Sequence, residues 1–496
     1  MPWLDAAAPV RMERVALVAP AVSLRDVLVQ VADSGAMEID QAMRNSEDLG
    51  EAARRLRGAG QSPPAPALSA AAPDLAALES AGRYDLLAGE AELEVRAAEA
   101  VRRSGAAALA GWIPADRAGE VARRIGEAGG ALVPLRHPRG AMAPTLLGGT
   151  PARRSLTPLV KTYGVMPYAD IDPSWLAWAS YVLMFGMMFG DVGHGALLVI
   201  AAVALRAGWP RWVRRWRAAW PFVAGAGVAA TGFGLAYGEC FGPTGLVPTL
   251  WLNPLDKPIP LLLTAIAVGA VLLAGAYALG TVNRWREGGW PLALYAPSGI
   301  AGTSVFLGIA VAAGGWYIGH IWLLSAGIVI AVIGLGLAFT GFYAEAGGGG
   351  TGVAQSSVEL FDLVIRLGSN VVSFARLAAF GLTHAALGLV VWDASRGLWH
   401  RGGGWLAAAA LVFLLGNALA FALEALIAAI QALRLEYYEL FSRVFQVLGR
   451  EFQPWYVPIA DAGSPPGDPA PGDPAVPDPA DPGPAALAGD QALGGA

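Results

Sequence analysis

The sequence predicts an α-helical polytopic membrane protein carrying a small N-terminal cytoplasmic α/β domain. Three observations lead there. Of 496 residues, 55% are hydrophobic and only 15% charged, whereas a soluble protein carries about a quarter charged residues. Beyond Pro173, stretches free of Asp, Glu, Lys and Arg recur at 173–190, 192–205, 218–238, 258–283 and 288–344. The first 160 residues instead mix short apolar runs with regularly placed charge. The expected division is therefore 1–160 as the α/β domain, 161–457 as the membrane domain, and 458–496 as a Pro/Ala/Gly/Asp tail that cannot bury a core.

The N-terminal part is taken first. Residues 1–40 hold Asp5, Arg11, Glu13, Arg14, Arg25 and Asp26 among their apolar runs. No secretory signal reads from that mixture, which places the N-terminus in the cytoplasm. Arg14–Pro20 has the pattern of a strand. Ser23 is the expected cap of a helix over Leu24–Ser34, with Val27, Leu28, Val31 and Ala32 on its apolar face. Residues 61–74 are a Pro/Ala break, and Leu75–Ser104 reads as a helix. A second strand–helix–strand pattern comes next, over Ala106–Trp112, Asp116–Ala128 and Ala131–Leu135. The expectation is two small α/β units joined by a helical arm. No glycine-rich loop ends in Lys-Ser/Thr, so no nucleotide site is read. The single cysteine, Cys240, excludes an internal disulfide and a Cys-based metal site. A net charge of −5 argues against a nucleic-acid partner.

A membrane helix needs about 20 apolar residues. Residues 288–344 are long enough for two, with the break expected at Gly314-Gly315. Adding 361–392 and 405–448 brings the count to eight. The segment 192–205 is short and borrows from its flanks. The loop with Arg206, Arg211, Arg214, Arg215 and Arg217 falls inside by the positive-inside rule, as does the one with Arg284 and Arg286. The loop 239–257 falls outside, and both termini are cytoplasmic.

Two of these helices carry polar stripes. In Leu360–Trp392, Asp362, Ser369, Arg376 and Thr383 recur every seven residues, close to two helical turns, with His384 beside the last. An Arg near the bilayer centre costs about 2.5–3.5 kcal/mol on insertion scales and is a functional candidate by default. One partner carboxylate would satisfy a packing role; a row of polar residues exceeds that need. In the last helix Asn417, Glu424, Gln431 and Tyr438 are also seven apart, with Arg434 three beyond Gln431. Residues 405–448 hold no proline and one glycine, so a single helix of about 66 Å is expected, steeply tilted or projecting from the bilayer.

Several blocks resemble a known family. KTYGVMPYADIDPSW…LMFGMMFGDVGHG (161–195), SNVVSFARLAAFGLTHAALGLVVW (369–392) and LEALIAAIQALRLEYYELFSRVF (423–445) are similar to membrane segments of the V-type ATPase subunit a family, called subunit I in bacteria. PVRMERVALVAP and ALAGWIPAD resemble the two lobes of its cytoplasmic domain. The resemblance implies a non-catalytic stator subunit beside a rotating ring of proteolipid c subunits, in a bacterial plasma membrane. It implies contacts with peripheral-stalk subunits and through them the ATPase head, and with a central-stalk cap subunit. By resemblance, Arg376 is the essential Arg, Arg434 the Arg of the next helix, and Glu424 its buried Glu. His384 and Glu424 are expected to line an outer half-channel, with Gln431 and Asn417 holding waters. Asp362, Ser369 and Asn370 are expected to line the inner one.

The cytoplasmic arm is shorter than the family's. His194 stands where the family often has Tyr and is read as interfacial, not as a ligand. The five histidines are His137, His194, His320, His384 and His400, and no two are spaced as a metal pair, so no metal and no cofactor are assigned. Two rival readings remain open. One is a stand-alone secondary transporter using Glu424 and Arg376, against which no inverted repeat is visible in 173–450. The other is a scaffold whose stripes are interhelical glue.

Overall fold

The computed structural model describes residues 9–40, 50–59, 65–136, 142–148, 164–445 and 449–460. The expected tail beyond residue 460, His137, and the opening KTY of the 161–195 block lie outside the described residues. The chain divides into two compact units, one of helices and one of α/β type.

In the α/β unit the strands are β1 (Met12–Pro20), β2 (Glu38–Ile39), β3 (Val101–Arg103), β4 (Ala106–Pro114) and β5 (Ala131–Pro134). The helices are α1 (Leu24–Ser34), α2 (Glu51–Gly58), α3 (Leu75–Ser80), α4 (Tyr84–Glu99) and α5 (Ala118–Glu127). The two expected α/β units are in fact one. β1 and β4 pair antiparallel over nine residues, from Met12 opposite Pro114 to Pro20 opposite Ala106. These five strands pair antiparallel, in the order β2-β4-β1-β5 with β3 on β4. The reason is the alternation along β1: Val15, Leu17 and Ala19 turn one apolar face inward, and that face needs a cover. α1 supplies Val27, Leu28 and Val31 and α5 supplies Val121 and Ile125 to the same core. Neither half buries that face without the other.

Two local expectations are corrected. Ser23 does not cap α1 with its side chain; its hydroxyl donates back to the Pro20 carbonyl at 3.4 Å. The helix expected over Leu75–Ser104 breaks into α3 and α4 at Gly82, whose φ of +69° is the left-handed conformation that glycine tolerates. Its last residues leave the helix to form β3.

Residues 449–460 belong to this unit, although the sequence pattern groups 449–457 with the membrane helices and 458–460 with the tail. Trp455 donates its amide to Met37 O (2.9 Å) and its indole N–H to Glu92 (3.3 Å). Val457 donates to Ala32 O, and Leu68 N to Pro458 O. Arg450 pairs with Glu38. Trp455 and Val457 are buried in the same core as β1.

The helical unit contains α6 (Ser174–Met188), α7 (Val192–Ala207), α8 (Trp220–Tyr237), α9 (Pro258–Tyr295), α10 (Ile300–Ile318), α11 (Ile321–Glu345), α12 (Gly349–Ser373), α13 (Ala375–Trp399) and α14 (Trp405–Leu435). Among the described residues, six helical stretches are long and apolar enough to cross a membrane: 216–237, 258–295, 300–318, 321–345, 349–399 and 405–444. α6 and α7 are apolar but shorter, at 15 and 16 residues. This is a multi-pass membrane protein. The break between α10 and α11 falls at Gly319-His320, not at Gly314-Gly315, which lie within α10. These two helices pack tightly through small residues. A Cβ on Gly308 would lie 2.4 Å from Ala331 N, and one on Gly327 would lie 2.3 Å from Ala312 N.

α6 and α7 form a hairpin around α8. Trp178 donates to Pro221 O (3.3 Å), and Gly186 abuts Ala229, so α6 runs parallel to α8. Gly195 abuts Thr231 and Gly227 abuts Val199, so α7 runs antiparallel to it. The turn Phe189–Asp191 is the tip of that hairpin. At its other end, residues 166–173 are latched to α9. Ile171 N donates to the Asn283 side chain (3.1 Å), and Arg284 pairs with Glu287 (2.7 Å). Asp170 is fully buried there. Burial, and then the neighbouring Glu287, raise its carboxyl to about 8.

These packings can be tested at two positions. Trp455→Ala removes an indole from the α/β core and is expected to cost about 3–5 kcal/mol. Amide hydrogen exchange in β1 and β4 of the intact chain reads it, and unchanged exchange would show that 449–460 adds no stability. The Asp170 carboxyl binds its proton more tightly in the folded latch than in an open chain, where carboxyl values lie near about 4. Its contribution is therefore complete below about 4 and is lost as pH rises through about 8. Exchange over residues 166–173, corrected for its intrinsic pH dependence, should accelerate across that window. Asp170→Asn should flatten the response.

Candidate functional site

Arg376 is the second residue of α13, immediately after the break that separates α12 from α13. Phe374 sits at that break, fully buried. Its ring lies where a Cβ on Gly269 of α9 would come within 2.1 Å, so a glycine there is what admits the ring. The guanidinium of Arg376 donates from Nε to Ser373 O (3.3 Å) and stands 3.7 Å from Glu439 Oε1. The Arg376 side chain is 25% exposed and that of Glu439 7%.

Seven-residue spacing does not single out Glu439, and the backbone explains why. The long helix expected over 405–448 is α-helical only to Leu435, then becomes a π-helix over Glu436–Phe441. A π-turn closes i→i+5 and resets the facing of the residues after it. Tyr438, the expected last member of the stripe, is instead 71% exposed, while Glu436 and Glu439 turn inward. Glu436 accepts from the Ser180 hydroxyl of α6 at 2.7 Å. Asn370, with its amide oriented by its hydrogen bonds, donates to Arg366 O (3.1 Å) and accepts from Arg443 (2.6 Å). Arg434, on the same stretch, is exposed, and Arg434 and Arg443 join Arg376 in the positive field around Glu439. Gln431 is half-buried.

The stripe on α12–α13 faces outward. Asp362 pairs with Arg366 one turn on, both side chains more than half exposed. Ser369 and Thr383 are exposed too, and the Thr383 hydroxyl donates to Ala379 O. Leu363, Leu367, Leu377 and Ala378 form the buried side. Arg376 thus lies at the edge between an open polar face and the packed interior.

A second group gathers at the α6–α7 tip. His384 Nδ1 and Glu424 Oε2 are directly hydrogen-bonded across α13 and α14, with the histidine 5% and the glutamate 11% exposed. Asp191 caps α7: its Oδ1 accepts from His194 N (2.9 Å) and its Oδ2 from Gly242 N (3.0 Å). His194 is not interfacial. It is 3% exposed, 5.7 Å ring to ring from His384, and enclosed by Phe189, Phe241 and Phe421. Glu239 and Asn417 are buried nearby, and the Asn417 amide donates to Phe413 O. The quoted GDVGHG run holds both Asp191 and His194, but sequence spacing cannot place them beside His384, 190 residues later.

Residues 100–211 match the V-type ATPase 116kDa subunit family. An A-type ATP synthase subunit I of Pyrococcus horikoshii is 27% identical over 310 residues, 60% of this chain and 45% of the relative. That of Thermococcus kodakarensis is 26% identical over 377 residues, 70% and 54% respectively. A vacuolar proton translocating ATPase 100 kDa subunit of Dictyostelium discoideum is 35% identical over 102 residues, 19% of this chain and 12% of that one. The chain is similar to that family over these stretches. It spans about half the length of the subunit I proteins it matches. The family match runs from β3 to the Arg-rich segment after α7 and so includes Asp191 and His194.

Proposed function

We propose that this chain is the stator membrane subunit of a rotary V-type ATPase. In that role it contributes no catalytic site and couples H⁺ or Na⁺ translocation to ATP hydrolysis or synthesis elsewhere in the complex. The observation that carries the reading is the position of Arg376. Its guanidinium is partly exposed on an open helix face, and the buried ionisable groups divide into two sets around it.

A carboxylate on a neighbouring ring of proteolipid subunits prefers its neutral form in lipid, because a bare charge there is costly. Opposite Arg376 the ionised form gains a counter-charge. Glu439, at 3.7 Å, is the internal partner that holds the guanidinium between such encounters. A contact of that length is loose enough to exchange for a ring carboxylate. Ser369, Asn370 and Glu439 lie on one side, toward an inner half-channel, with Asp362 and Arg366 at its mouth. His384, Glu424, Asp191, His194 and Asn417 line the outer half-channel, where the His384–Glu424 hydrogen bond is a route for a proton. Arg434 and Gln431 lie between the two sets on α14. The same Arg376 charge blocks direct passage from one set to the other.

The proposed topology has eight crossings, the shorter α6 and α7 included, and cytoplasmic termini in a bacterial plasma membrane. Exposed Trp209, Trp212 and Trp216 lie among Arg206, Arg211, Arg214 and Arg217, a composition suited to the cytoplasmic interface. The proposed partners are the c-ring, peripheral-stalk subunits leading to the ATPase head, and a central-stalk cap subunit.

Arg376→Ala is expected to abolish ATP-driven ion uptake into vesicles while the complex still assembles. Arg376→Lys should also fail or be severely slowed, since Lys lacks the planar fork and can shed its proton when buried. Purified Arg376→Ala complex that acidifies vesicles at the wild-type rate would overturn the reading. Glu424→Gln is expected to slow transport severalfold at unchanged complex yield, because Gln keeps the hydrogen bond to His384 but cannot exchange a proton. Loss of assembled complex instead would mark Glu424 as a packing residue.

A further inference from the structure

We infer that Asp191, His194 and His384 form a binding site for a divalent transition-metal ion of the Zn²⁺ type. Each offers one ligand atom, and the three atoms lie within 4.8 Å of one another. A central ion reaches all three with a small contraction. The three side chains are 0%, 3% and 5% exposed.

The second observation is independent of the clustering. Neither ring nitrogen of His194 makes a hydrogen bond of normal geometry among the described residues, the neighbouring Asn417 amide donating instead to Phe413 O, although the side chain is almost completely buried. A buried imidazole without a well-formed hydrogen bond leaves the desolvation cost of its polar atoms uncompensated. Asp191 Oδ1 lies 3.8 Å from its Nδ1. That is too long for a hydrogen bond and suits two ligands flanking a shared ion. The carboxylate oxygens of Asp191 each accept one backbone N–H and keep a lone pair. The carboxylate is thereby held in place before any ion arrives.

His384 brings the outer-shell partner that such sites use. Glu424 binds its Nδ1, which leaves Nε2 as the nitrogen free to ligate. A carboxylate on the far nitrogen of a ligating histidine fixes its orientation and raises its basicity. Two imidazoles and one carboxylate, with a fourth position open to water, match Zn²⁺ rather than the all-oxygen sets of Mg²⁺ or Ca²⁺. The chelate spans the α6–α7 tip and α13, elements far apart in sequence, so sequence spacing could not announce it.

A consequence for transport rests on the reading proposed above. A metal ion held by His194 and His384 occupies the outer half-channel and removes the lone pairs that a proton would use. Zn²⁺ supplied from the outer side should then inhibit pumping.

The two claims are tested separately. Tag-free protein purified in detergent is titrated with Co²⁺, whose visible absorption reports four- or five-coordinate N/O ligation. The expected result is one equivalent bound, with bands that Zn²⁺ displaces. Loss of an orienting carboxylate alone costs about 10–100-fold in metal affinity, so losing a ligand should cost at least about tenfold. His194→Phe keeps an aromatic ring among Phe189, Phe241 and Phe421, and His194→Gln is the second variant should Phe perturb the packing. Both should lose the bands, while His400→Phe should keep them. No stoichiometric binding by the wild type, or bands that persist in both His194 variants, overturns the site. Inhibition is read in vesicles carrying the assembled complex. Zn²⁺ inhibition of the wild type that His194→Gln relieves supports the blocked outlet. Stoichiometric binding without inhibition keeps the site and overturns its place in the ion path.

Discussion

Buried charge is the constraint on which the helical unit turns. An ionised side chain taken out of water costs several kcal/mol unless it is paired and hydrogen-bonded. The helices α6 to α14 are almost all apolar, yet they enclose Asp191, Glu239, Glu436, Glu439 and His384. Their satisfaction is local and specific. Glu436 takes a hydroxyl from α6, Glu439 faces the guanidinium of α13, and Glu424 is bound to His384. The first contact ties α6 to the end of α14, 256 residues apart in the chain, and the other two tie α13 to the consecutive α14, so the polar groups that are costly to bury also fix how these helices meet.

The backbone irregularities fall at the same places. α12 and α13 separate at Phe374, two residues before Arg376. α14 gives way to a π-helix at Glu436, which brings Glu439 to that Arg. The α6–α7 turn presents Asp191 at a helix start, and Asp191 in turn holds His194 N and Gly242 N. A regular helix repeats its facing every 3.6 residues and would have carried Tyr438 inward. Local departures from that repeat aim the ionisable groups, and neighbouring helices supply the partners that the freed backbone needs.

In the α/β unit the ruling consideration is area. Neither strand–helix segment is long enough to close a core, and β1 finds in β4 a nine-residue partner of matching alternation. The residues after the membrane helices complete that core with Trp455 and Val457. A single shared sheet replaces the two lobes because the short connecting arm, broken at Gly82, keeps both halves within one unit.

Composition and periodicity alone determined the helical class, the positions of the apolar segments, strands at 14–20 and 106–112, and Arg376, His384 and Glu424 as candidates. Those properties are written in hydropathy and local spacing, which a linear reading sees. The tertiary structure decided the shared sheet, the pairing of Arg376 with Glu439, the burial of Glu436, and the meeting of Asp191 and His194 with His384. The physical reason is the same in each case. Which face a residue presents depends on kinks, a π-turn and packing partners hundreds of residues away, and none of these leaves a mark in the spacing of neighbouring side chains. Once α14 leaves the α-helical repeat, seven-residue spacing ceases to mean a common face, and only the packed helices show that Glu439, not Tyr438, turns inward.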